Sequence, residues 1–145
     1  MIIQTKYFGK MVINKNKIIN FPDGLPAFRN QNKFVIIDLP DNHSFYCLQS
    51  VQEAETAFLM IRPWDFFPDY DFVIPDQDLE ELGITSHKQV LIYNIVTIPE
   101  DFRKMTANLM APIVINSENL KGRQVILQKG NYQIRHPFYR EKEVV

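Results

Sequence analysis

Four side chains in this sequence of 145 residues are of types that act as nucleophiles or metal ligands near neutral pH: Cys47, His43, His87 and His136. A protein metal site needs such ligands at short, regular spacings, and none of the histidines has a second ligand at such a distance. Cys47 shares one face of an alternating run with Phe45 and Gln49, so we expect a buried core residue and not a nucleophile. No metal site and no cofactor is predicted.

Paired carboxylates could also do chemistry, because two neighbouring acids can divide the roles of general acid and general base. Asp69 with Asp71 and Glu80 with Glu81 are such pairs. Acids are so frequent between residues 65 and 81 that pairs arise by chance, and catalysis would require one carboxyl group to be desolvated. The sequence also has no glycine-rich phosphate loop and no Gly-x-Ser-x-Gly motif. We predict a protein that is not an enzyme; a small enzyme acting on an unknown metabolite is the least favoured alternative.

The segment from Ile61 to Phe72 is unusual in composition, with five aromatic residues and three aspartates. Pro63, Pro68 and Pro75 exclude a regular helix or central strand here, which predicts a loop or a passage at a sheet edge. From residue 63 to residue 81 there are seven acids and no lysine or arginine. Rigid rings beside charges are typical of protein–protein contact surfaces. The alternative is that the rings cover the end of a β-structure and only the aspartates reach solvent.

The two interpretations of this segment differ in what they predict for Phe67 and Tyr70. If both side chains contact a partner, Phe67→Ala combined with Tyr70→Ala should keep the thermal midpoint and weaken partner capture. If both belong to the core, the same double substitution should lower the thermal midpoint and leave the affinity of the folded fraction unchanged.

The elements that must position this segment are mostly strands, because apolar and polar residues alternate with a period of two. In the first run Ile3, Thr5 and Tyr7 share one face. Further strands are predicted at residues 34–39, 45–51, 57–62, 90–98, 113–116 and 124–127.

Two hairpins are predicted from polar turns. The turn at residues 14–17 would join 11–13 to 18–21. The turn at residues 129–131 would lead into a last strand at 132–135.

Only residues 76–82 have the pattern of an α-helix. Acids occupy the first turn, Leu79 and Leu82 are three residues apart, and Gly83 follows in the position of a C-terminal cap. A second helical turn is predicted to start at Pro99, where acids follow the proline.

The composition, with 46% hydrophobic and 23% charged residues, is that of a soluble globular protein. We predict a single mostly-β domain over residues 1–145, an antiparallel barrel-like fold with one or two short helices and a flexible tail at about residues 137–145. There is no transmembrane or signal-peptide pattern, and one cysteine permits no internal disulfide, so a cytoplasmic location is expected.

The formal net charge of −1 conceals an uneven distribution. Residues 1–33 hold six basic residues and one acid, residues 34–101 hold two and thirteen, and residues 102–145 hold eight and three. An acidic centre could steer a basic partner if the fold gathers it on one face; alternatively, the charges mix over the surface. The pI of about 6.3 and the absence of nucleic-acid-binding motifs argue against direct binding of nucleic acid.

Five blocks of the sequence resemble, in order, motifs of the flagellar assembly factor FliW family. They are residues 19–28 (INFPDGLPAF), 48–50 (LQS), 57–70 (AF, then P and FPDY), 108–116 (NLMAPIVIN) and 124–127 (QVIL). Ala27 departs from the family, which has glycine there; a positive φ at this position would strain alanine. Phe21, Leu25 and Phe28 are expected to anchor this turn in the core.

The resemblance implies a cytoplasmic regulator that binds newly made flagellin and the translational repressor CsrA. After flagellin is exported, the freed protein would bind CsrA and antagonise it, which relieves the repression of flagellin mRNA. An RNA-binding repressor carries basic surface, which an acidic block would complement. A dedicated flagellin chaperone without a regulatory arm is the alternative. A monomer is favoured, with no membrane contact.

Contacts with these partners are expected first in the acidic and aromatic segment and second around Asn108 to Met110. The predicted contact residues are Trp64, Asp65, Phe67, Asp69, Tyr70, Asp71, Asp76, Asp78, Glu80, Glu81, Asn108 and Met110.

Overall fold

The computed structural model describes residues 1–40, 42–128 and 130–138, in which eleven strands and one α-helix are formed. The elements are β1 (Ile2–Thr5), β2 (Gly9–Val12), β3 (Ile19–Asn20), β4 (Lys33–Leu39), β5 (Asn42–Ser50), β6 (Ala57–Ile61), α1 (Asp76–Leu82), β7 (Val90–Thr97), β8 (Thr106–Ala107), β9 (Ile113–Asn116), β10 (Gly122–Gln124) and β11 (His136–Pro137). Short 3-10 turns lie at Lys15–Lys17, Pro63–Asp65, His87–Gln89 and Phe102–Lys104. The predicted mostly-β class with one or two short helices is confirmed, with one α-helix.

Seven strands form one antiparallel path in the order β10-β9-β7-β6-β5-β4-β3. β8 pairs with the end of β7 and also with β11. Within the tail predicted at about residues 137–145, Pro137 lies in β11 and Phe138 packs against the core. Residues 139–145 of that tail lie outside the described residues.

The two ends of this path meet at a seam. Asn20 of β3 forms a single parallel bridge with Lys121, and the backbone N–H of Asn20 donates to the carbonyl of Leu120 at 2.8 Å. Gly122 permits the approach, because a Cβ there would lie 2.7 Å from the ring of Phe21. One bridge is not a ladder, so the fold is barrel-like in outline without being a closed barrel.

Alternate residues along the strands meet on one face of the sheet. Their shared cluster includes Phe34, Leu48, Met60, Tyr93 and Ile113, from five different strands. Strand geometry turns the intervening residues to the opposite face, where two separate covers bury them.

The first cover is the hairpin β1–β2, which packs Ile3 against Val35, Ile37 and Cys47. The second cover is formed by residues 63–81, which we call the acidic–aromatic segment. Its Tyr70 packs against Ile61, Ile92 and Val114, and so does Leu82, the last residue of α1.

The hairpin predicted across residues 14–17 is wrong. Asn14 instead caps a 3-10 turn, its side chain accepting from the N–H of Asn16 at 2.9 Å, and β3 pairs with β4. The tight turn of the first hairpin is at Gly9, whose φ of +64° a non-glycine residue rarely adopts.

The last predicted hairpin is also wrong, because residues 132–135 form no strand; Lys129 lies outside the described residues. The strand predicted at residues 124–127 lies two or three residues earlier in the chain, at Gly122–Gln124, as β10. Its pairing continues irregularly, since the N–H groups of Val125 and Leu127 donate to the carbonyls of Pro112 and Met110 at 2.9 and 2.8 Å.

The helix prediction is confirmed. Gly83 adopts a φ of +67°, and its N–H donates to the last turn of α1, as in a left-handed C-terminal cap. The second predicted turn begins at Phe102 instead of Pro99, with the Asp101 side chain accepting from the N–H of Arg103.

Candidate protein-binding surface

The acidic–aromatic segment crosses the outer face of the sheet as a compact loop followed by α1. The backbone N–H of Phe67 donates to the carbonyl of Pro63 at 2.7 Å, which starts the loop. The indole N–H of Trp64 donates to the carbonyl of Tyr70 at 2.7 Å, which closes it. The Trp64 ring itself remains 46% exposed. The predicted loop is therefore present, and hydrogen bonds within the segment hold it.

Tyr70 is a core residue and not a surface contact. Its side chain is 4% exposed, and its hydroxyl donates to the carbonyl of Leu109 at 2.6 Å. The side-chain amide of Asn94 donates to the same hydroxyl at 3.3 Å. Burial raises the pKa of Tyr70 to about 12. The double substitution of Phe67 and Tyr70 is thus expected to lower stability, because it removes a buried ring.

Tyr132 fastens the segment to the C-terminal part of the chain. Its hydroxyl accepts from the backbone N–H of Asp71 at 2.9 Å and donates to the Asp71 carbonyl at 3.0 Å. The Tyr132 ring stands edge-on to Tyr70, with centroids 4.7 Å apart. The sequence does not single out Tyr132, because it lies 61 residues away from Asp71.

Half-buried rings line a cleft of about 720 Å³ between this segment and residues 131–138, which we call the ring cleft. The Phe138 ring lies 5.2 Å from Phe66 and 5.1 Å from Phe67, measured between centroids. Phe67 also faces the ring of His136 at 5.5 Å. Phe66 and Phe67 therefore pack against the core and also line the ring cleft.

The carboxylates of the segment fall into two groups. Arg123 of β10 pairs with Asp78 at 3.2 Å and with Glu81, and lies 3.9 Å from Asp23. Asp78 and Glu81 thereby help to anchor α1 to β10. The others are exposed and form no ion pair with any described residue; they are Asp65, Asp69, Asp71, Asp76 and Glu80.

The helix is also fixed at its C-terminal end. The side-chain amide of Asn116, buried at the end of β9, donates to the carbonyl of Leu82 at 2.8 Å, and that of Asn119 donates to the same carbonyl at 3.0 Å. Both contacts satisfy a backbone acceptor that a helix end leaves free. The acids of α1 are therefore presented from a rigid support.

Asn108 and Met110 lie beside the ring cleft but do not project as an exposed patch. Asn108 uses its side-chain oxygen to accept from the N–H of Ala111 at 3.0 Å, which shapes the turn before β9. The N–H of Met110 donates to the carbonyl of Gln133 at 3.3 Å. Both residues are half-buried, and the contacts described above stabilise the fold.

The loop between β3 and β4 carries the expected strain. Leu25 to Phe28 form a turn in which the N–H of Phe28 donates to the carbonyl of Leu25 at 2.8 Å. Ala27 has a φ of +67°. Phe21 and Leu25 are buried in the core, and Phe28 packs against it, as predicted.

Cys47 is fully buried as predicted, and desolvation raises the pKa of its thiol to about 11. The part of the chain that the structure describes contains no group of three His, Cys, Asp or Glu residues that could hold a metal ion. Of the described helices, none is long and apolar enough to cross a membrane.

Comparison with known proteins gives one family. Residues 2–138 match the model of the family described as FliW protein. A protein named flagellar assembly factor FliW from Alkaliphilus metalliredigens is 43% identical over 137 residues, which are 94% of this chain and 85% of that protein. The one from Bacillus licheniformis is 44% identical over 137 residues, 94% of this chain and 96% of that protein.

The fold agrees with the sequence match. A solved structure described as the crystal structure of the flagellar assembly factor FliW superposes with a TM-score of 0.92 and 39% sequence identity. The superposition covers 98% of this chain and 99% of the other.

Proposed function

This chain belongs to the FliW family, and on that premise we propose that it is a cytoplasmic flagellar assembly factor that binds flagellin and the translational repressor CsrA. Free of flagellin, it binds CsrA and antagonises it, so that flagellin mRNA is translated. The scheme needs recognition between proteins and no covalent step. It also needs no cofactor.

The observation that carries this proposal is the set of exposed carboxylates beside half-buried rings. Asp69 and Asp71 are exposed and form no ion pair with any described residue, and Asp69 lines the ring cleft together with Phe67. A repressor that binds RNA must present basic groups, and complementary charge raises the association rate and the selectivity for such a partner. The rings supply apolar area, from which most of the contact energy of an interface comes.

Contact residues are proposed on this basis from both parts of the segment. Trp64, Asp65, Phe67, Asp69 and Asp71 form the loop part. The helical part consists of Asp76 and Glu80, which are exposed and are not among the ion-pair partners of Arg123. Asp78 and Glu81 contribute by holding α1 in place, because Arg123 already pairs with them.

A competition experiment tests the regulatory scheme. The protein is loaded with purified flagellin, CsrA is added, and the complexes are separated by size-exclusion chromatography. We expect CsrA to bind only the fraction that flagellin has left. A stable ternary complex would contradict the switch, because flagellin could then not control the availability of the CsrA site.

A dedicated flagellin chaperone without a regulatory arm remains the rival. It predicts that flagellin binds and that CsrA does not, at any salt concentration. Capture of CsrA that strengthens at low ionic strength would favour the switch, because interactions between exposed charges are screened by salt.

A further inference from the structure

We propose that the ring cleft holds one bulky apolar side chain of the basic partner CsrA, and that a lysine or arginine next to that side chain pairs with Asp69. This inference rests on the proposed function for the existence of a protein partner. It adds the recognition site, half of which is formed by residues 131–138.

The walls of the ring cleft suit an apolar side chain. Phe66 and Phe67 of the segment contact Phe138, with ring centroids 5.2 and 5.1 Å apart, and Phe66 continues to Phe45 in the core at 5.6 Å. Tyr132 also lines the cleft. An apolar group that enters such a space leaves water and meets ring faces and edges.

The charge at the ring cleft defines the second feature of the occupant. Among the described residues that line the cleft, Asp69 is the one acidic residue, and none is a lysine or an arginine. Asp69 is exposed and forms no ion pair with any described residue. A cation next to the bound side chain would complement it, and Arg or Lys would also be favoured near the ring faces.

The site is formed in advance, which favours binding. Both hydrogen bonds of the Tyr132 hydroxyl fasten residues 131–138 to the backbone of Asp71 in the acidic–aromatic segment. The pairing of β8 with β11 also fixes His136, which lies opposite Ala107. Neither wall then has to be ordered when a partner arrives, which reduces the entropic cost of association.

Filling the ring cleft tests the inference without disturbing the core. Gln133 and Asn131 line the cleft and are exposed, so Gln133→Trp and Asn131→Trp add a ring to the opening and remove no buried group. Gln4→Trp, exposed on the outer face of β1, is the matched control. The probe is purified CsrA, titrated by isothermal calorimetry into each full-length variant.

We expect CsrA to bind both cleft variants at least about tenfold more weakly than it binds the wild type. Its affinity for Gln4→Trp should be unchanged. Asp69→Lys should weaken binding at low salt by a similar factor, which supplies a test that does not depend on a new ring. Unchanged affinity of all three cleft variants would overturn the inference while leaving the proposed function intact. If the wild type binds neither CsrA nor flagellin, the proposed function itself fails.

A second copy of this chain is the competing occupant. Sedimentation of the wild type and of Gln133→Trp over a range of concentrations decides this point. Self-association of the wild type that Gln133→Trp removes would overturn the inference, because the cleft would then be a contact between identical chains. Equal monomeric behaviour of both proteins supports a different protein as the occupant.

Discussion

The hydroxyl of Tyr132 bonds both backbone groups of Asp71, accepting from its N–H at 2.9 Å and donating to its carbonyl at 3.0 Å. A side chain that satisfies the donor and the acceptor of one residue replaces the strand partner which that residue lacks. The acidic–aromatic segment is thereby fixed to the C-terminal part of the chain at the point where its aspartates reach solvent.

Tyr132→Phe is expected to loosen this junction while it keeps the ring contact with Tyr70. Two hydrogen bonds at an exposed site contribute about 1 kcal/mol each at most, so the free energy of unfolding should fall by about 1–2 kcal/mol. Urea unfolding measures this change. Tyr7→Phe is the control, because Tyr7 is exposed and its hydroxyl bonds no described residue. An equal effect of both substitutions would argue against the junction.

Neutralising two loop carboxylates should slow the association with a basic partner. For Asp69→Asn combined with Asp71→Asn we expect the association rate with CsrA to fall severalfold at low salt and to approach the wild-type rate at about 0.5 M salt, where screening is strong. Stopped-flow fluorescence measures both rates. Glu53→Gln combined with Glu55→Gln removes the same charge from a distant exposed loop. If that control slows association equally, net charge and not position is responsible.

Ala27→Gly should stabilise the protein. Alanine with a φ of +67° is strained by about 1 kcal/mol or more, and glycine removes this strain. Glycine also makes the unfolded chain more flexible, which destabilises the folded state by a somewhat smaller amount. We expect a gain of about 0.5 kcal/mol in the free energy of unfolding. Thermal and urea unfolding measure it.

The neighbouring Gly24 gives the opposite expectation. Its φ is +64°, and a Cβ would lie 2.5 Å from the Cα of Arg29. Gly24→Ala should therefore destabilise strongly, by more than about 2 kcal/mol, because the obstacle is backbone. Similar stabilities of Gly24→Ala and the wild type would show that this loop rearranges freely.

Tyr70 should make stability depend on alkaline pH. Its pKa is raised from 10.0 to about 12 by burial, so the folded protein keeps a proton that the unfolded chain loses above pH 10. The contribution of this retained proton to the free energy of unfolding is complete below pH 10. It is lost as the pH rises from about 10 to 12, at about 1.4 kcal/mol per pH unit. Because phenylalanine has no such proton, the stability difference between the wild type and Tyr70→Phe should shrink over this range. A difference that is constant with pH would contradict the assigned burial of the hydroxyl.

Most of the sheet and the helix could be predicted because their signals are local. The alternation at residues 34–39, 57–62 and 113–116 depends on neighbouring residues, and so does the cap at Gly83. The loop character of the acidic–aromatic segment follows from its prolines. Even the strain at Ala27 could be anticipated, because it depends on one backbone angle.

The contacts that form the ring cleft could not be predicted in this way. β8 and β11 have two residues each and show no periodicity, so their pairing has no signal in the sequence. Tyr132 and Phe138 reach the segment from more than sixty residues away. The burial of Tyr70 has the same origin, since the partner of its hydroxyl is the carbonyl of Leu109. Composition shows that rings are present but not which of them face inward.

The seam between the two ends of the sheet path bears on whether copies of the chain can associate by strand pairing at high concentration. Long free strand edges are the usual template for adding further chains to a sheet. Here the path ends in strands of two and three residues, and the bridge of Asn20 with Lys121 lies where the two ends approach each other. The two ends of this path therefore offer only short edges for pairing with another chain.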